Sequence, residues 1–404
     1  MNNVPVIVFG DYIAAYGVMR ALGPQKIPIH IVSADGKGLC VHSRYVSKVL
    51  VLNPGDPDFT EKLKNWISRE IGSEAVLMVA GEDEYLDVLS QNYDSLEPDL
   101  KCTFPPWDIV RKVRCKRETY KIADQIGIPT PETIYITSED ELKIILEKGI
   151  NISFPLLMKS EDSKGFMKKY KTKGIISHNE RELLDNYRRY DCFFDQLLLQ
   201  EMIPGDETQL LNFIGVYNKN SDPVHVFMNR KRRSYRQFSS CTLMETMWSK
   251  KVLNYSNDLV KEIGYIGYAN PEYKYDTRDG KIKLMEINGR ISLSNSHSLC
   301  CGTSVIDTMY QDALNGPLAP QQVFARNYPE NYLWWMPIDD IVAAIRLFKS
   351  GSLKMKDYFR SMVGSGYVIE PFNIKDPIPF IYHILSDIKI FYSYITNKSY
   401  SDKN

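Results

Sequence analysis

Short apolar runs alternate with stretches of helical periodicity through the first quarter of the chain. Residues 4–10 form an apolar run that stops at Gly10, and residues 13–22 then repeat apolar positions at the three-to-four spacing of a helix. Further strand-like runs fall at 27–33, 46–52 and 75–79, with helical patterns at 59–71 and 84–93 between the later ones. Strands alternating with helices predict a parallel α/β domain over residues 1–110.

A second unit, 111–316, has a different grammar. It opens with a predicted helix over 111–126, closed by Gly127 and followed by a turn at Pro129 and Pro131. Strand-like runs follow at 156–159, 197–201, 224–229, 269–275 and 282–287. The remainder, 317–404, is an aromatic-rich extension with helical patterns of its own. In it Phe380, Ile384, Ile388, Phe391 and Ile395 form an apolar stripe at helical spacing. Such a stripe packs on the body of the protein or docks on a membrane surface or a partner.

Composition narrows the class. A length of 404 residues suits two or three domains, and fifty basic against fifty acidic side chains give no global pull toward nucleic acid. The seven cysteines include no CxxC pair, which predicts reduced thiols and, by default, the cytoplasm. The opening MNNVPVIVFG lacks a basic region ahead of a long apolar stretch, so it reads as no secretory signal. No window reaches the ~18 apolar residues that span a bilayer.

The chemistry concentrates in residues 270–290, NPEYKYDTRDGKIKLMEINGR. Two alternating runs flank a Thr-Arg-Asp-Gly turn, a hairpin signal, and a turn centred near Asp279 sets Glu272 opposite Glu286. Alternation puts Glu286 and Asn288 on one face, with Met285 and Ile287 on the other. Facing carboxylates repel unless a cation lies between them, and oxygen ligands of this kind suit Mg²⁺, with Mn²⁺ as an alternative. Arg290 continues on that face and could hold an anion or developing charge.

In order along the chain, these residues and others resemble the ATP-grasp superfamily, over roughly 111–316. In that family a Glu…Glu-x-Asn pattern on paired strands holds the metal–triphosphate, which the resemblance assigns to Glu272, Glu286 and Asn288. The segment from Arg114 through Lys116 to Pro131 resembles the family helix whose lysine approaches the phosphates. FPLLMK at 154–159 resembles the strand whose last lysine, here Lys159, holds the α- and β-phosphates. LLQEMIPGDE at 198–207 resembles the hinge strand around adenine. The resemblance implies that Gln200, Glu201 and Ile203 flank the adenine edge, the latter two through backbone atoms, and that Glu207 binds the ribose hydroxyls. The implied architecture is a parallel α/β domain, then an ATP-grasp domain of two α+β lobes clamping ATP, then a helical extension.

Other segments take their reading from the same resemblance. Between Lys159 and Ile175 lies a lysine-rich stretch with Gly165 and Gly174, where relatives have a flap over the triphosphate; Lys173 or Lys164 would meet phosphate. NRKRRSYRQF at 229–238 places five cations in seven residues. Here Lys231 or Arg233 would meet the γ-phosphate or an acyl phosphate, and alternation groups 231, 233 and 235 on one face. Glu245 would lie near the site. Small polar residues at 291–298 would form the wall for the acyl acceptor, with His297 more often a structural residue than a base. The residues around Gly10–Arg20 and Gly81–Tyr85 look closest to the D-aspartate ligase-like branch; a dinucleotide fingerprint is absent.

The implied activity is ATP-dependent joining of a small-molecule carboxylate, through an acyl phosphate, to an amine, giving an amide, ADP and phosphate. Activation of bicarbonate or another oxyanion, a non-catalytic ATP-binding sensor, and a nucleic-acid binder using 230–236 are the alternatives. The carboxylate, the amine and the oligomeric state are not legible.

Overall fold

The computed structural model describes residues 3–72, 74–97, 99–161, 163–190, 197–235, 238–321 and 326–386. Three sheets organise them. Strands β1 (Val6–Phe9), β2 (Ile29–Ser33), β3 (Val46–Val51), β4 (Val76–Val79) and β5 (Lys101–Cys102) form an all-parallel sheet in the order β3-β2-β1-β4-β5. β1, β2 and β4 are buried throughout, because helices cover both faces of a parallel sheet; β1 and β4 are wholly apolar, and β2 is apolar but for His30 and Ser33.

Strands β6 (Thr133–Tyr135), β7 (Leu156–Ser160), β8 (Ile175–Ser177) and β9 (Leu197–Glu201) make a small antiparallel sheet, ordered β6-β9-β7-β8, with its own core. A third sheet contains β10 (Leu210–Tyr217), β11 (Pro223–Ser234), β12 (Cys241–Thr246), β13 (Gly267–Asp276), β14 (Lys281–Asn288), β15 (Tyr332–Trp335) and β16 (Gly366–Ile369). Its order is β14-β13-β10-β11-β12-β15-β16.

The first and third sheets are tied at one point. Ile291, three residues past β14, donates its N–H to Val79 O (3.0 Å) and accepts from the N–H of Gly81 (3.1 Å). Gly10 makes room there: at φ 113°, a Cβ on it would sit 2.2 Å from Ala80 O. The end of the β13–β14 hairpin is thereby fixed against the carboxyl end of β4.

Three expectations change. The helix expected over 111–126 is two helices, Trp107–Arg114 and Lys116–Gln125, because Cys115 between them is extended at ψ 110°. β10 and β12 escaped the sequence reading since both are buried on both faces and carry no alternation. The lysine-rich stretch after Lys159 contains a helix, Ser163–Tyr170, rather than an open flap.

The 317–404 extension is helical as expected and also contributes two strands. Its Tyr-Leu-Trp-Trp segment pairs with β12 and then with β16, so it completes the third sheet. Helices Pro337–Lys349 and Met355–Ser361 lie between and beside these strands. Residues 378–386 are helical and rest on the first domain, with Tyr382 Oη donating to Lys37 O (2.8 Å) and His383 edge-on to Tyr12. Of the expected stripe, Phe380 and Ile384 are half-buried; Ile388, Phe391 and Ile395 lie outside the described residues. Among the described residues no helix is long and apolar enough to cross a membrane, and six cysteines stand as unpaired thiols.

Candidate functional site

A cavity of about 280 Å³ opens between the small sheet and the third sheet. Its wall includes Lys116, Lys159, Lys173, Lys231 and Arg290, with Glu272 and Glu286 as the only carboxylates among the described residues. The hairpin of β13 and β14 has the expected register, Glu272 opposite Glu286 and Asn270 opposite Asn288. Asn288 Nδ2 donates to Glu272 Oε1 (3.1 Å), which brings all three oxygen-bearing side chains to one spot. A bulge between Glu272 and Tyr273 leaves Met285 as an extra residue. Met285 therefore lines the cavity too, instead of pointing away as alternation predicts.

Each carboxylate has an ammonium partner. Lys116, first residue of its helix, donates to Glu286 Oε2 at 3.2 Å, and Lys231 Nζ lies 3.8 Å from Glu272 Oε2. The Lys116 charge, with Lys173 and Lys159 behind it, holds the Glu286 carboxyl down to about 2. Burial pushes Glu272 the other way, against Lys231 and with help from the Glu286 charge. One member of the pair is firmly anionic while the other waits for more positive charge. Oxygen-only donors that hold ammonium groups in place of stronger charge fit a hard dication such as Mg²⁺.

Lys159 is the next-to-last residue of β7 and donates to Gln200 Oε1 at 3.0 Å. Burial, then the neighbouring Lys116, lowers its ammonium to about 8. Such a lysine gains from any anion brought beside it. Arg290 Nε lies 3.0 Å from Asp83 Oδ1 without the alignment of a hydrogen bond, so Asp83 anchors the guanidinium by charge.

The residues expected at the hinge are not among the described residues of the cavity wall. Gln200 Nε2 donates to Tyr120 Oη and Thr133 Oγ1, both 3.1 Å. The Glu201 carboxylate takes Lys283 (2.6 Å), Arg278 and the N–H of Glu132 (3.0 Å), and its own N–H is donated to Glu132 O (2.9 Å). Ile203 O accepts from Lys274 Nζ at 2.8 Å, and Glu207 Oε2 from Ser234 Oγ at 2.6 Å.

Arg233 is not part of this assembly. Register shifts on either side of it break the alternation with Lys231, and the side chain turns into the core. There it is 3% exposed, forms a two-pronged pair with Asp340 at 2.6 and 3.0 Å, and stacks over Tyr358. Glu245 likewise faces away, gripping Arg230 (2.6 Å) and Arg232. Lys164, by its side chain, and Arg236 fall outside the described residues.

His297 is buried, donates to Tyr332 O (3.0 Å), and is lowered to about 3 by burial, which suits a structural residue. Burial pushes the cavity thiol of Cys241 up to about 12, so it is no nucleophile. Sequence reasoning passed over Asn212 and Asn270, both in the cavity wall and both buried. Asn270 stood in the quoted hairpin, two residues before Glu272 on the same face; that spacing was the available signal.

A nucleotide-sized cleft between a small antiparallel sheet and a larger one, with paired carboxylates on its floor and lysines converging from both, is the ATP-grasp fold. Comparison with known proteins bears this out. Residues 212–320 match the family described as carbamoyl-phosphate synthase L chain, ATP binding domain. D-aspartate ligase from Enterococcus faecium (strain Aus0004) is 21% identical over 347 residues, spanning 82% of each chain.

Among solved structures, an ADP complex of N5-carboxyaminoimidazole ribonucleotide synthetase superposes with a TM-score of 0.62 at 15% identity, covering 86% of each chain. The L-amino acid ligase from Bacillus licheniformis gives 0.59 at 14%, over 79% of this chain and 75% of its own. The biotin carboxylase domain of Hydrogenobacter thermophilus 2-oxoglutarate carboxylase, bound to MgADP, ADP and bicarbonate, gives 0.61 at 17%, over 81% and 73%.

Proposed function

We propose that this protein is an ATP-dependent ligase that joins a carboxylate to an amine. The observation that carries the reading is the cross-strand set of Glu272, Glu286 and Asn288, ringed by Lys116, Lys159, Lys231 and Arg290 in one cavity of an ATP-grasp fold. The similarity to a D-aspartate ligase and an L-amino acid ligase supports amide formation as the outcome.

ATP lies with adenine toward Gln200, Glu201 and Ile203, ribose toward Glu207, and phosphates on Lys116 and Lys159. Glu272, Glu286 and Asn288 would hold Mg²⁺, or Mn²⁺ in its place, which would supply charge to neutralise the phosphate oxygens. Lys231 and Arg290 face the transferring phosphoryl group and the developing charge at the acyl carbon. A substrate carboxylate oxygen attacks the γ-phosphorus; the bond to the β–γ bridging oxygen breaks, releasing ADP. The amine lone pair then attacks the acyl carbon, a C–N bond forms, phosphate leaves with its oxygen, and the amine proton goes to solvent. No protein nucleophile takes part, and the one cavity thiol is unfit for it. The unpaired cysteines support a reducing, cytoplasmic setting.

The test is phosphate and ADP release from ATP with Mg²⁺ across a panel of D- and L-amino acids offered both as carboxylates and as amines, with bicarbonate as a separate arm. Release that needs one carboxylate and one amine, and that Glu286→Gln abolishes, is the expected result. Release with bicarbonate alone, or ATP binding with no release under any pair, overturns the ligase reading.

A further inference from the structure

A line of carboxamides runs from the core to the cavity, and its polarity is fixed at the buried end. His297 Nε2 lies 3.0 Å from Tyr332 O, which can only accept, so Nε2 carries the proton and Nδ1 accepts. Asn229 Nδ2 points to that Nδ1 at 3.3 Å, and Asn229 Oδ1 accepts from Asn212 Nδ2 at 2.8 Å. Asn212 Oδ1 in turn accepts from Asn270 Nδ2 at 2.6 Å, and Phe213 O accepts from the same nitrogen at 2.6 Å.

Both hydrogens of Asn270 are therefore used at its back. Its Oδ1 receives no hydrogen bond from the described residues, although Asn270 is 1% exposed and belongs to the cavity wall. A reversed amide would set its oxygen against two oxygens and lose both bonds. The wall consequently presents a fixed acceptor to the cavity, where a bound ligand can bring a donor to it.

Position identifies the donor. Lys274, Glu272 and Asn270 alternate along one face of β13, each step about 6–7 Å. Lys274 touches the hinge carbonyls of Ile203 and Gly205, and Glu272 belongs to the carboxylate pair. Asn270 is the next step away from the hinge, past the place of the phosphates. Opposite it, at Asn288, the chain leaves β14 toward the small polar wall at Ser292 and Ser294.

We propose that Asn270 Oδ1 accepts an N–H of the incoming amine and aims its lone pair at the acyl carbon, with His297, Asn229 and Asn212 as positioning residues that hold this polarity. The inference rests on the ligase reading above and names the amine subsite within it.

The test uses the full-length protein and the amino-acid pair that supports phosphate release in the panel. In Asn270→Ala the amine KM is expected to rise at least tenfold. Carboxylate activation, read as positional isotope exchange in ATP with the carboxylate present and the amine left out, falls by a much smaller factor than kcat/KM for the amine, and the Mg²⁺ concentration for half-maximal rate shifts by less than the amine KM. Asn270→Ser, whose hydroxyl can still donate one of the two bonds at its back, serves if the alanine variant folds poorly and is expected to show the same split. An unchanged amine KM overturns the subsite while leaving the ligase intact. A raised Mg²⁺ requirement with unchanged amine KM makes Asn270 a metal ligand and also overturns it. A wild-type protein silent on the whole panel removes the ligase reading and this subsite together.

Discussion

Lys116 and Glu286 are 170 residues apart in the chain and 3.2 Å apart in the cavity. One opens a helix that packs against β14, and the other lies on β14 itself. Their pairing holds Glu286 anionic through the whole working pH range. Glu286→Gln should lower ADP release by roughly 10²–10³-fold, the usual scale for removing one preorganised charged group. Turnover at saturating ATP and raised Mg²⁺ checks it; activity within tenfold of wild type would contradict the assigned role.

Lys159 sits near 8 because it is buried beside Lys116. Below that pH it is charged and attracts phosphate; above it, ATP must bring a proton with it. ATP affinity should therefore fall from pH 7 to 9, with about one proton taken up on binding at the alkaline end. Calorimetry in buffers of different ionisation heat measures this uptake, and Lys159→Met should abolish it. A pH-independent affinity would mean that Lys159 does not meet the phosphates.

Arg233 and Asp340 form a buried pair, 3% and 0% exposed. Removing one partner strands the other charge, so Arg233→Met should cost about 3–5 kcal/mol of stability. Among molecules that remain folded, the ATP dissociation constant should be unchanged. Denaturant unfolding alongside ATP titration separates the two. A normal stability with weakened ATP binding would return Arg233 to the active site.

His297, His225 and His383 are all held neutral by burial, lowered to about 3, 4 and 4. Unfolded, each would protonate near 6.5, so their contribution is present above that pH and lost as pH falls toward 4. Three such groups give a slope of up to about 4 kcal/mol per pH unit below pH 6. Urea unfolding at pH 7, 6 and 5 measures it, and His383→Gln should remove about a third. A flat profile over that range would show that these rings protonate without unfolding the protein.

Much of this was legible in the sequence. The parallel sheet announced itself by apolar runs, and the Glu272–Glu286 register followed from one turn and strict alternation. Lys116 and Lys159 were readable as a series only because they came in order with the hairpin. What escaped was written in irregularities. Alternation cannot foresee a bulge, so Met285 and Arg233 were each assigned to the wrong face. Strands β10 and β12 are buried on both sides, which erases the period that marks a strand. The carboxamide line of Asn212, Asn229 and Asn270 joins three different strands, and single asparagines carry no signal until the strands are side by side.

The ordering of the third sheet also bears on how the protein is made. β12, next to the strand that carries Lys231, has its outer edge covered only by β15, and β15 in turn by β16 at Gly366–Ile369. A chain emerging from the ribosome can assemble its first domain from contiguous segments within about 100 residues. The third sheet, by contrast, lacks its last strand until translation has passed residue 369. Nascent chains stalled short of that point present a strand edge open to pairing with neighbours.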